Sequence, residues 1–363
     1  MEKNVKNISI HQTNVSGLGA MKFSDALVHD IVKNDAIAIK KIYFNKHNFN
    51  FSYSEAAAES AICSYRFGTL SRIFEVLCWR FYREQNTDIL ILGDLPLNTR
   101  ARQYVMCQQS LIFKSFPFLS INFFKFGLFR ILFKLFIKSN DIVLVQSAEM
   151  ERYIKQYFGD HITVKILDLR SSSFGWPKFF RKGRCRLPHH ENSIKLIYPS
   201  AYYPHKNHHL LSSIKNEIGV EVSVTVENNV VEENSSISCI GRTSREMIFE
   251  CYKEVDGLLF LSSNESLGMP ILEAIKCNLP IICPYAEYTK ELSAENCFFF
   301  ELDRPDTLEK AFVELRDKLL SGWWPNWNFD NHFSNPRYFP IDVILLDSVN
   351  KSIYEASSSI DNV

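Results

Sequence analysis

Short apolar runs separated by helix-like segments are the feature that most constrains the fold of this chain. The runs "DILIL" (88–92), "DIVLV" (141–145) and "IKLIYP" (194–199) are almost wholly apolar and rich in β-branched residues. Strands of this kind are buried on both faces, as in parallel sheets covered by helices. Because strand-like and helix-like segments alternate in both halves, the sequence predicts an α/β protein with two doubly wound domains.

The length of the chain also favours two domains. A chain of 363 residues exceeds what one hydrophobic core usually serves. The polar and basic stretch "RKGRCRLPHHENS" (181–193) interrupts the alternation and is interpreted as the linker. We therefore expect an N-terminal domain over 1–185, a C-terminal domain over 194–340, and a terminal helix or tail, 341–363, that can pack back across the domains.

Composition argues against several classes of protein. Lys plus Arg equals Asp plus Glu at 41 each, so no overall field favours nucleic acid. The nine cysteines are scattered and form no C-x-x-C pair, which argues against zinc-ribbon and thioredoxin motifs and favours reduced thiols in a cytoplasmic protein. The first residues, "MEKNVKNISIHQTN", lack the apolar segment of a secretory signal.

Two glutamates flank a predicted helix start in "LSSNESLGMPILEA". Glu265 precedes the helix and Glu273 lies within it. The first turn of a helix has backbone N–H groups without intrahelical partners, and together with the helix dipole they attract anions. Gly268 allows close approach of a ligand to the backbone, and Pro270 suits the first turn. Taken alone, the pair fits an ordinary helix start equally well.

The motifs around this pair make a resemblance specific. "ESLGMPILEA" resembles the Glu-x7-Glu motif of retaining glycosyltransferases with the GT-B fold, especially family 4. The upstream segment "IGRTSREMIFECYKEVDGLLFLSS" follows that family's order of elements, and "YPSAYYPHKNHHLL" (198–211) resembles its first C-terminal strand, loop and helix. The resemblance implies two Rossmann-like domains that face each other across a cleft.

The resemblance also implies roles by position. Lys206 would neutralise the diphosphate of a nucleotide-sugar donor, Glu265 would bind hydroxyls of the transferred sugar, and Glu273 would hold the ribose. Backbone N–H groups of Ser266, Leu267 and Gly268 would contact the diphosphate, and Gly241 and Arg242 would lie near the base. The segment "TNVSGLGAM" resembles a glycine-rich loop that faces the phosphates, with Gly17 and Gly19 approaching them most closely. A plain turn is the alternative for that loop.

The chain departs from the family pattern on the acceptor side and near the lysine. Ser200 and Ala201 stand where the family usually has an arginine, and its usual N-domain histidine is not recognisable. Asp94 is therefore our catalytic candidate beside Lys206 and Glu265. Gln108 and Gln109 are further candidates to face the reacting sugar, and ordinary turn or polar roles are the alternative for all three.

No metal or other cofactor is expected. The chain has no D-x-D, so the charge on a leaving diphosphate would be handled by Lys206 and helix N-termini. The cluster of His205, His208 and His209 lacks further ligands at suitable spacing and is interpreted as a histidine-rich helix start.

The stretch "FPFLSINFFKFGLFRILFKLFIK" (116–138) predicts a helix rich in Phe, Leu and Ile. Arg130, Lys134 and Lys138 repeat every fourth residue and share one helical face. The charges disfavour a membrane span, and a basic amphipathic helix on the inner face of the cytoplasmic membrane fits better. The alternative is a core helix whose basic face is solvated.

These observations together predict a retaining glycosyltransferase acting on a nucleotide-diphosphate sugar and a hydroxyl of a lipid-linked glycan. The low-Gly, Phe-, Ile-, Asn- and Lys-rich composition resembles enzymes of bacterial surface polysaccharide and O-antigen (lipopolysaccharide) biosynthesis. One alternative is a GT-B nucleotide-sugar epimerase, which would need acid–base carboxylates across the cleft. Another is a degenerate member that only binds glycan or lipid.

Overall fold

The computed structural model shows two compact units. One comprises Met1–Phe174 together with Asn335–Val363, and the other comprises Gly175–Ser334. The residues described are 5–15, 18–45, 61–64, 69–82, 87–168, 174–184, 193–214, 219–228, 230–231, 234–290, 292–329, 337–339 and 341–345.

The first unit contains a seven-stranded sheet in the order β3-β2-β1-β4-β5-β6-β7, with every pairing parallel. Its strands are β1 (Lys6–His11), β2 (Ile37–Asn45), β3 (Ala61–Ser64), β4 (Asp88–Ile91), β5 (Gln103–Met106), β6 (Ile142–Val145) and β7 (Thr163–Ile166). Its helices are α1 (Leu18–Val32), α2 (Thr69–Tyr82), α3 (Ile121–Phe136) and α4 (Ala148–Phe158). The strand order changes direction between β1 and β4.

The second unit contains a six-stranded sheet in the order β10-β9-β8-β11-β12-β13, again parallel throughout. Its strands are β8 (Ile194–Tyr198), β9 (Val220–Val224), β10 (Ile237–Cys239), β11 (Gly257–Leu259), β12 (Ile281–Pro284) and β13 (Cys297–Phe300). The helices are α5 (Arg245–Glu254), α6 (Met269–Cys277) and α7 (Pro305–Leu320). Here the order changes direction between β8 and β11.

The predicted α/β class and doubly wound sheets are confirmed. The apolar runs of the sequence are strands whose residues are almost all buried, as β4, β6 and β8 show. Helix α4 is capped at both ends: Ser147 Oγ accepts a hydrogen bond from Met150 N at 3.3 Å, and Gly159 ends the helix with φ 105°. Each sheet is covered by helices because both of its faces are apolar.

One predicted helix is not an α-helix. The histidine-rich segment after β8 forms two short 3-10 turns, Pro204–Lys206 and His208–Ser213. Asn207 lies between them in the left-handed region, at φ 50°. A non-glycine residue in that region interrupts a right-handed helix, which explains why the helical pattern of the sequence is not realised.

The chain passes between the units earlier than the linker interpretation placed it, at 174/175 rather than within 181–193. Arg181 and Arg184 belong to the second unit. Arg181 N donates to Cys277 O at 2.9 Å, and Arg184 forms a bidentate pair with Asp256 at 3.1 and 3.2 Å. Arg181 and Arg184, which the sequence analysis assigned to a linker, are therefore held by carbonyl and carboxylate groups of the second unit.

Residues after the second unit return to the first. Tyr338 bridges Leu167 beside β7, with Tyr338 N donating to Ile166 O at 2.9 Å. Residues 341–345 are helical, and Val343 and Ile344 are buried. The rest of the tail predicted over 341–363 lies outside the described residues.

Within the described residues, none of the helices combines the length and apolar character needed to cross a bilayer.

Candidate functional site

The carboxyl ends of β8 and β11 carry most of the predicted donor-site residues. In doubly wound sheets, ligands bind outside the carboxyl ends of strands where the strand order changes direction. Ser200 and Lys206 follow β8, and Glu265 and Gly268 follow β11. The neighbouring parallel strands therefore bring two distant parts of the sequence to one edge of the sheet.

The turn Pro204–Lys206 is fastened to the loop after β11 by hydrogen bonds to backbone carbonyl groups. His205 O accepts hydrogen bonds from Ser263 N at 2.8 Å and from Ser262 Oγ at 3.3 Å. Asn207 Nδ2 donates to Leu261 O at 2.8 Å. These contacts fix Lys206 next to the loop that carries Glu265.

Lys206 and Glu265 form an ion pair between Nζ and Oε1. Their side chains are 15% and 17% exposed, so both remain accessible to a ligand. The ammonium group also lies 5.5 Å from the centre of the Phe260 ring. In this site the Lys206 ammonium group is neutralised by the Glu265 carboxylate. When an anionic ligand binds, the ammonium group can exchange that carboxylate for a phosphate group.

Gly268 is the N-cap of α6 and has φ 69°, a left-handed conformation that favours glycine. Its carbonyl accepts from Ile271 N at 2.8 Å, and Pro270 lies in the first turn as the sequence predicts. The preceding residues Ser266 and Leu267 lie in a half-buried loop. The backbone from Ser266 to Gly268 therefore approaches the helix start beside Glu265, where an anion is favoured.

Glu273 occupies a different environment from Glu265. It is 5% exposed, its Oε1 accepts from Arg245 Nε at 2.7 Å, and its Oε2 accepts from the Tyr252 hydroxyl at 3.2 Å. Burial raises the pKa of Glu273, while Arg245 and Tyr252 act in the opposite direction. The predicted ribose contact would require one of these partners to share a carboxylate oxygen with the ligand.

The predicted base-side residues lie after β10. Gly241 has φ 71°, and its N–H donates to Val226 O at 3.2 Å. Arg242 N donates to Glu227 Oε1 at 3.4 Å. The backbone at 241–242 is therefore held by the loop after β9, and Arg242 is exposed at the same edge of the sheet.

In the first unit, Asp94 follows β4 at the point where the strand order changes. It has φ 65°, and its Oδ1 accepts from Gln108 N at 2.5 Å and from Gln109 N at 3.0 Å. The three residues predicted to lie near the sugar are therefore brought together. Burial raises the pKa of Asp94, and its carboxylate holds the backbone of the loop after β5.

A buried polar cluster at the end of β1 escaped the sequence analysis. His11 Nε2 lies 3.2 Å from Glu75 Oε1 and 3.1 Å from Thr13 Oγ1, and the Thr13 hydroxyl donates to Glu75 Oε2 at 3.0 Å. The His11 ring also makes an edge contact with Trp79 at 5.1 Å. His11 ends β1, whereas the acceptor-side candidates taken from the sequence, Asp94, Gln108 and Gln109, follow β4 and β5.

The loop after β1 and the loop after β4 approach closely. A Cβ atom at Gly93 would lie 2.5 Å from Asn14 Cβ, so only glycine fits there. Gly19 lies in the first turn of α1 rather than in a loop, and Gly17 lies outside the described residues.

No cluster of three or more His, Cys, Asp or Glu side chains with the geometry of a metal site occurs in the part of the chain that the structure describes.

Comparison with protein families identifies a domain within the second unit. Residues 231–318 match the family model described as Glycosyl transferases group 1. The chain is 30% identical over 81 residues to the serotype-specific mannosyltransferase WbdA of Escherichia coli, a match that covers 22% of this chain. The match spans only 10% of the length of that curated relative.

Solved structures resemble the whole chain. Sucrose-phosphate synthase from Thermosynechococcus elongatus superposes with TM-score 0.64 and 10% identity, covering 97% of this chain and 100% of the other. WaaG, a glycosyltransferase involved in lipopolysaccharide biosynthesis, gives 0.60 and 11% over 93% and 99%. Anabaena HepE in complex with UDP and glucose gives 0.57 and 13% over 98% and 100%. The predicted GT-B fold is confirmed.

Proposed function

We propose that the protein is a glycosyltransferase that moves a sugar from a nucleotide-diphosphate sugar to a hydroxyl of a glycan acceptor. The observation that carries the proposal is the Lys206–Glu265 pair beside the start of α6, where the strand order of the second sheet changes direction. Glu265 and the start of α6 lie within the segment that matches the Glycosyl transferases group 1 family. Two proteins that share the fold add support, since WaaG is a glycosyltransferase involved in lipopolysaccharide biosynthesis and HepE was solved in complex with UDP and glucose.

In the proposed reaction, Lys206 exchanges its contact with Glu265 for the donor diphosphate. The released carboxylate then accepts hydrogen bonds from hydroxyls of the transferred sugar. Backbone N–H groups near Gly268 and the N-terminus of α6 stabilise the charge that develops on the leaving diphosphate. The protein contributes positioning and electrostatic stabilisation, and the departing phosphate takes the proton of the acceptor hydroxyl on the same face, so that the anomeric configuration is retained.

We further propose that the reaction needs no metal ion. The chain lacks D-x-D, and Lys206 with the helix N-terminus supplies positive charge at the diphosphate. Transfer should therefore continue in excess EDTA.

We also propose that the acceptor is a lipid-linked glycan of O-antigen or related surface polysaccharide biosynthesis. Its support is the serotype-specific mannosyltransferase similarity and an apolar surface on the first unit. We define the apolar surface of α2 and α3 by its exposed side chains Phe74, Leu77, Phe81, Ile121, Phe124, Leu128, Ile131 and Leu135. Large apolar side chains left exposed in this number on two helices are typical of surfaces that contact membranes or partners.

The two helices that carry this surface pack on one core. Arg72 of α2 lies 4.4 Å above the Phe129 ring of α3, and both helices contribute to the same buried cluster. Lys125 and Lys134 are exposed among the apolar residues, and α3 contains no acidic residue. The charge therefore favours the anionic cytoplasmic face of the inner membrane as the occupant.

The prediction that Arg130, Lys134 and Lys138 form one basic face of this helix is wrong for Arg130 and Lys138. Arg130 donates from Nε to Ile112 O at 2.5 Å and lies 5.1 Å above the Tyr157 ring. Lys138 lies beyond the end of α3 and binds Asp141 at 3.5 Å. Both cations satisfy groups of the first unit, so the proposed contact with lipid is mainly apolar, with Lys125 and Lys134 exposed among the apolar side chains.

The function is tested with the purified full-length protein and a panel of UDP- and GDP-sugars, following release of nucleoside diphosphate with and without glycan acceptors. Glu265→Ala should lower transfer at least a hundredfold, because the carboxylate contacts the reacting sugar. Glu250→Ala is the matched control, since Glu250 is 60% exposed and pairs only with Lys253 among the interactions described. Transfer by Glu265→Ala at the rate of the control would refute the proposed site.

A further inference from the structure

A carboxylate follows β9 and lies against the backbone at Gly241. Glu227 is exposed, three residues after the end of β9. A Cβ atom built on Gly241 would lie 3.7 Å from Glu227 Oε1 and 3.7 Å from Glu227 Oε2. Both carboxylate oxygens are therefore equally close to Gly241, which has no side chain to cover them.

The Glu227 carboxylate is only weakly engaged by the protein. Within the described residues its one hydrogen bond comes from Arg242 N to Oε1 at 3.4 Å, which is long for an N–H···O bond. Arg242 is itself exposed. A ligand that carries two hydrogen-bond donors can therefore reach both oxygens without first breaking a strong contact.

The position of Glu227 in the sheet favours a nucleoside as that ligand. Strand β9 pairs with β8, which leads to Lys206. In doubly wound sheets that bind nucleotides, the diphosphate lies at a helix N-terminus, and an acidic residue after a neighbouring strand contacts the nucleoside. Arg245, the first residue of α5, holds Glu273 of α6 at 2.7 Å. The loop between β10 and α5 therefore runs beside the helix that carries the proposed phosphate site.

Two exposed apolar side chains belong to this loop and to the helix turn that follows it. Ile240 precedes Gly241 and is 41% exposed, and Met247 in the first turn of α5 is 56% exposed. Proteins recognise a base through contacts with its flat faces and through hydrogen bonds along its edge. Exposed apolar side chains close to a weakly engaged carboxylate supply both kinds of contact.

The carboxylate discriminates between bases by its hydrogen-bonding pattern. A carboxylate only accepts hydrogen bonds, and it accepts two at once when the donors are adjacent. Guanine carries such a pair, N1–H and N2–H, on one edge. Uracil has a single N3–H between two carbonyl oxygens, so the second carboxylate oxygen would face another acceptor.

We propose that Glu227 accepts hydrogen bonds from N1–H and N2–H of guanine, so that the donor of this protein is a GDP-sugar rather than a UDP-sugar. Glu227 determines specificity, because it contacts the base and not the reacting sugar. This inference rests on the proposed function, since it names the nucleotide bound at the same donor site.

The assignment is tested by calorimetric titration of GDP, inosine diphosphate (IDP) and UDP into the full-length protein. IDP differs from GDP only in lacking the N2 amino group. Wild type should bind GDP about 5- to 150-fold more tightly than UDP, the discrimination expected for a bidentate contact. IDP should bind at least about fivefold more weakly than GDP, because one hydrogen bond to a charged group is lost.

Replacement of the carboxylate should remove this discrimination. Glu227→Ala should reduce the preference for GDP over UDP at least about fivefold and abolish the difference between GDP and IDP. Ratios of affinity are compared, because loss of a negative charge affects the diphosphate of all three nucleotides alike. Glu250→Ala removes the same charge from an exposed position of α5 and should leave both ratios unchanged.

Lys206→Met separates failure of the base assignment from failure of the donor site. It should weaken all three nucleotides by a similar factor, because they share the diphosphate. If it does so while wild type prefers UDP, or while Glu227→Ala keeps the preference for GDP, the base assignment is refuted and the phosphate site stands. Equal weakening of all three nucleotides by Glu227→Ala would place the carboxylate on the ribose and also refute it. If wild type binds none of them, or Lys206→Met binds all as wild type, the proposed donor site fails and the base assignment fails with it.

Discussion

At the scale of residues, the two glutamates that flank the start of α6 have different surroundings. Glu265 is half-buried and faces one ammonium group, which a ligand can displace. Glu273 is buried between Arg245 and Tyr252. The two glutamates belong to one sequence motif but have different environments. The Glu265 carboxylate is accessible for binding, whereas the Glu273 carboxylate is part of the folded core.

Replacement of the two glutamates should separate stability from transfer. Glu273→Ala leaves the half-buried Arg245 guanidinium and the buried Tyr252 hydroxyl without the carboxylate that they share, which should cost about 3–5 kcal/mol of unfolding free energy. Glu265→Ala breaks a pair whose carboxylate is more exposed, 17% against 7% for Glu273, and should cost no more than about 1 kcal/mol. Urea denaturation followed by intrinsic fluorescence measures both. A smaller loss for Glu273→Ala than for Glu265→Ala would contradict this distinction.

His208 should make stability depend on pH in a defined window. Its pKa falls from 6.5 to about 4 on folding, so between these values the unfolded chain binds more protons than the folded one. The unfolding free energy should therefore decrease as the pH falls from 6.5 to 4, by about 1–2 kcal/mol from this residue.

The contribution of His208 is isolated by comparison with His208→Gln, which cannot titrate. The difference in thermal midpoint between wild type and variant should change steadily from pH 6.5 to pH 4 and stay constant above pH 7. A difference that is independent of pH over this range would show that the imidazole is not held neutral by the fold.

At the scale of elements, α3 shows how helical spacing can mislead about which face meets solvent. Arg130, Lys134 and Lys138 are spaced to share a face, but Phe126, Phe129, Leu132 and Phe133 are the residues that enter the core. Two of the three cations turn back to carbonyl or carboxylate groups of neighbouring segments. Long basic side chains reach such partners because their stems lie along apolar surface.

The apolar surface of α2 and α3 should bind anionic vesicles. The double variant Ile131→Asp/Leu135→Asp introduces two acids among its exposed residues and should abolish co-flotation with phosphatidylglycerol-containing liposomes, because charged groups are costly at the acyl boundary. Leu320→Asp is the control, since Leu320 is exposed at the end of α7 in the second unit.

Two results would overturn the membrane assignment. One is wild-type protein that does not float with anionic liposomes. The other is an Ile131→Asp/Leu135→Asp variant that floats as well as the Leu320→Asp control. If light scattering instead shows a dimer that the double variant dissociates, the surface is an interface between copies of the chain.

At the scale of the whole molecule, both units follow one organising rule. Each has a parallel sheet whose strand order changes direction once, between β1 and β4 in the first unit and between β8 and β11 in the second. The polar clusters around Asp94 and around Lys206 lie after these strands. Similarity to sucrose-phosphate synthase over nearly the entire chain at 10% identity shows that this architecture tolerates extensive change in sequence.

The sequence alone determined the fold class and the strand and helix positions with the strongest patterns. Apolar runs of four or five residues can bury both faces only in a covered parallel sheet, which is why β4, β6 and β8 were predictable. The Glu265–Glu273 segment was predictable because glycine, proline and a helix start have local requirements.

Tertiary structure alone decided which of these residues meet. The pairing of Lys206 with Glu265 depends on β8 and β11 being neighbours, and no local pattern encodes that adjacency. The burial of Glu273, the cluster around His11 and the hydrogen bond from Tyr198 to Lys206 O likewise join residues from separate elements. Local sequence sets backbone preference, whereas the partner, burial and charge state of a side chain are set by elements that are distant in the sequence.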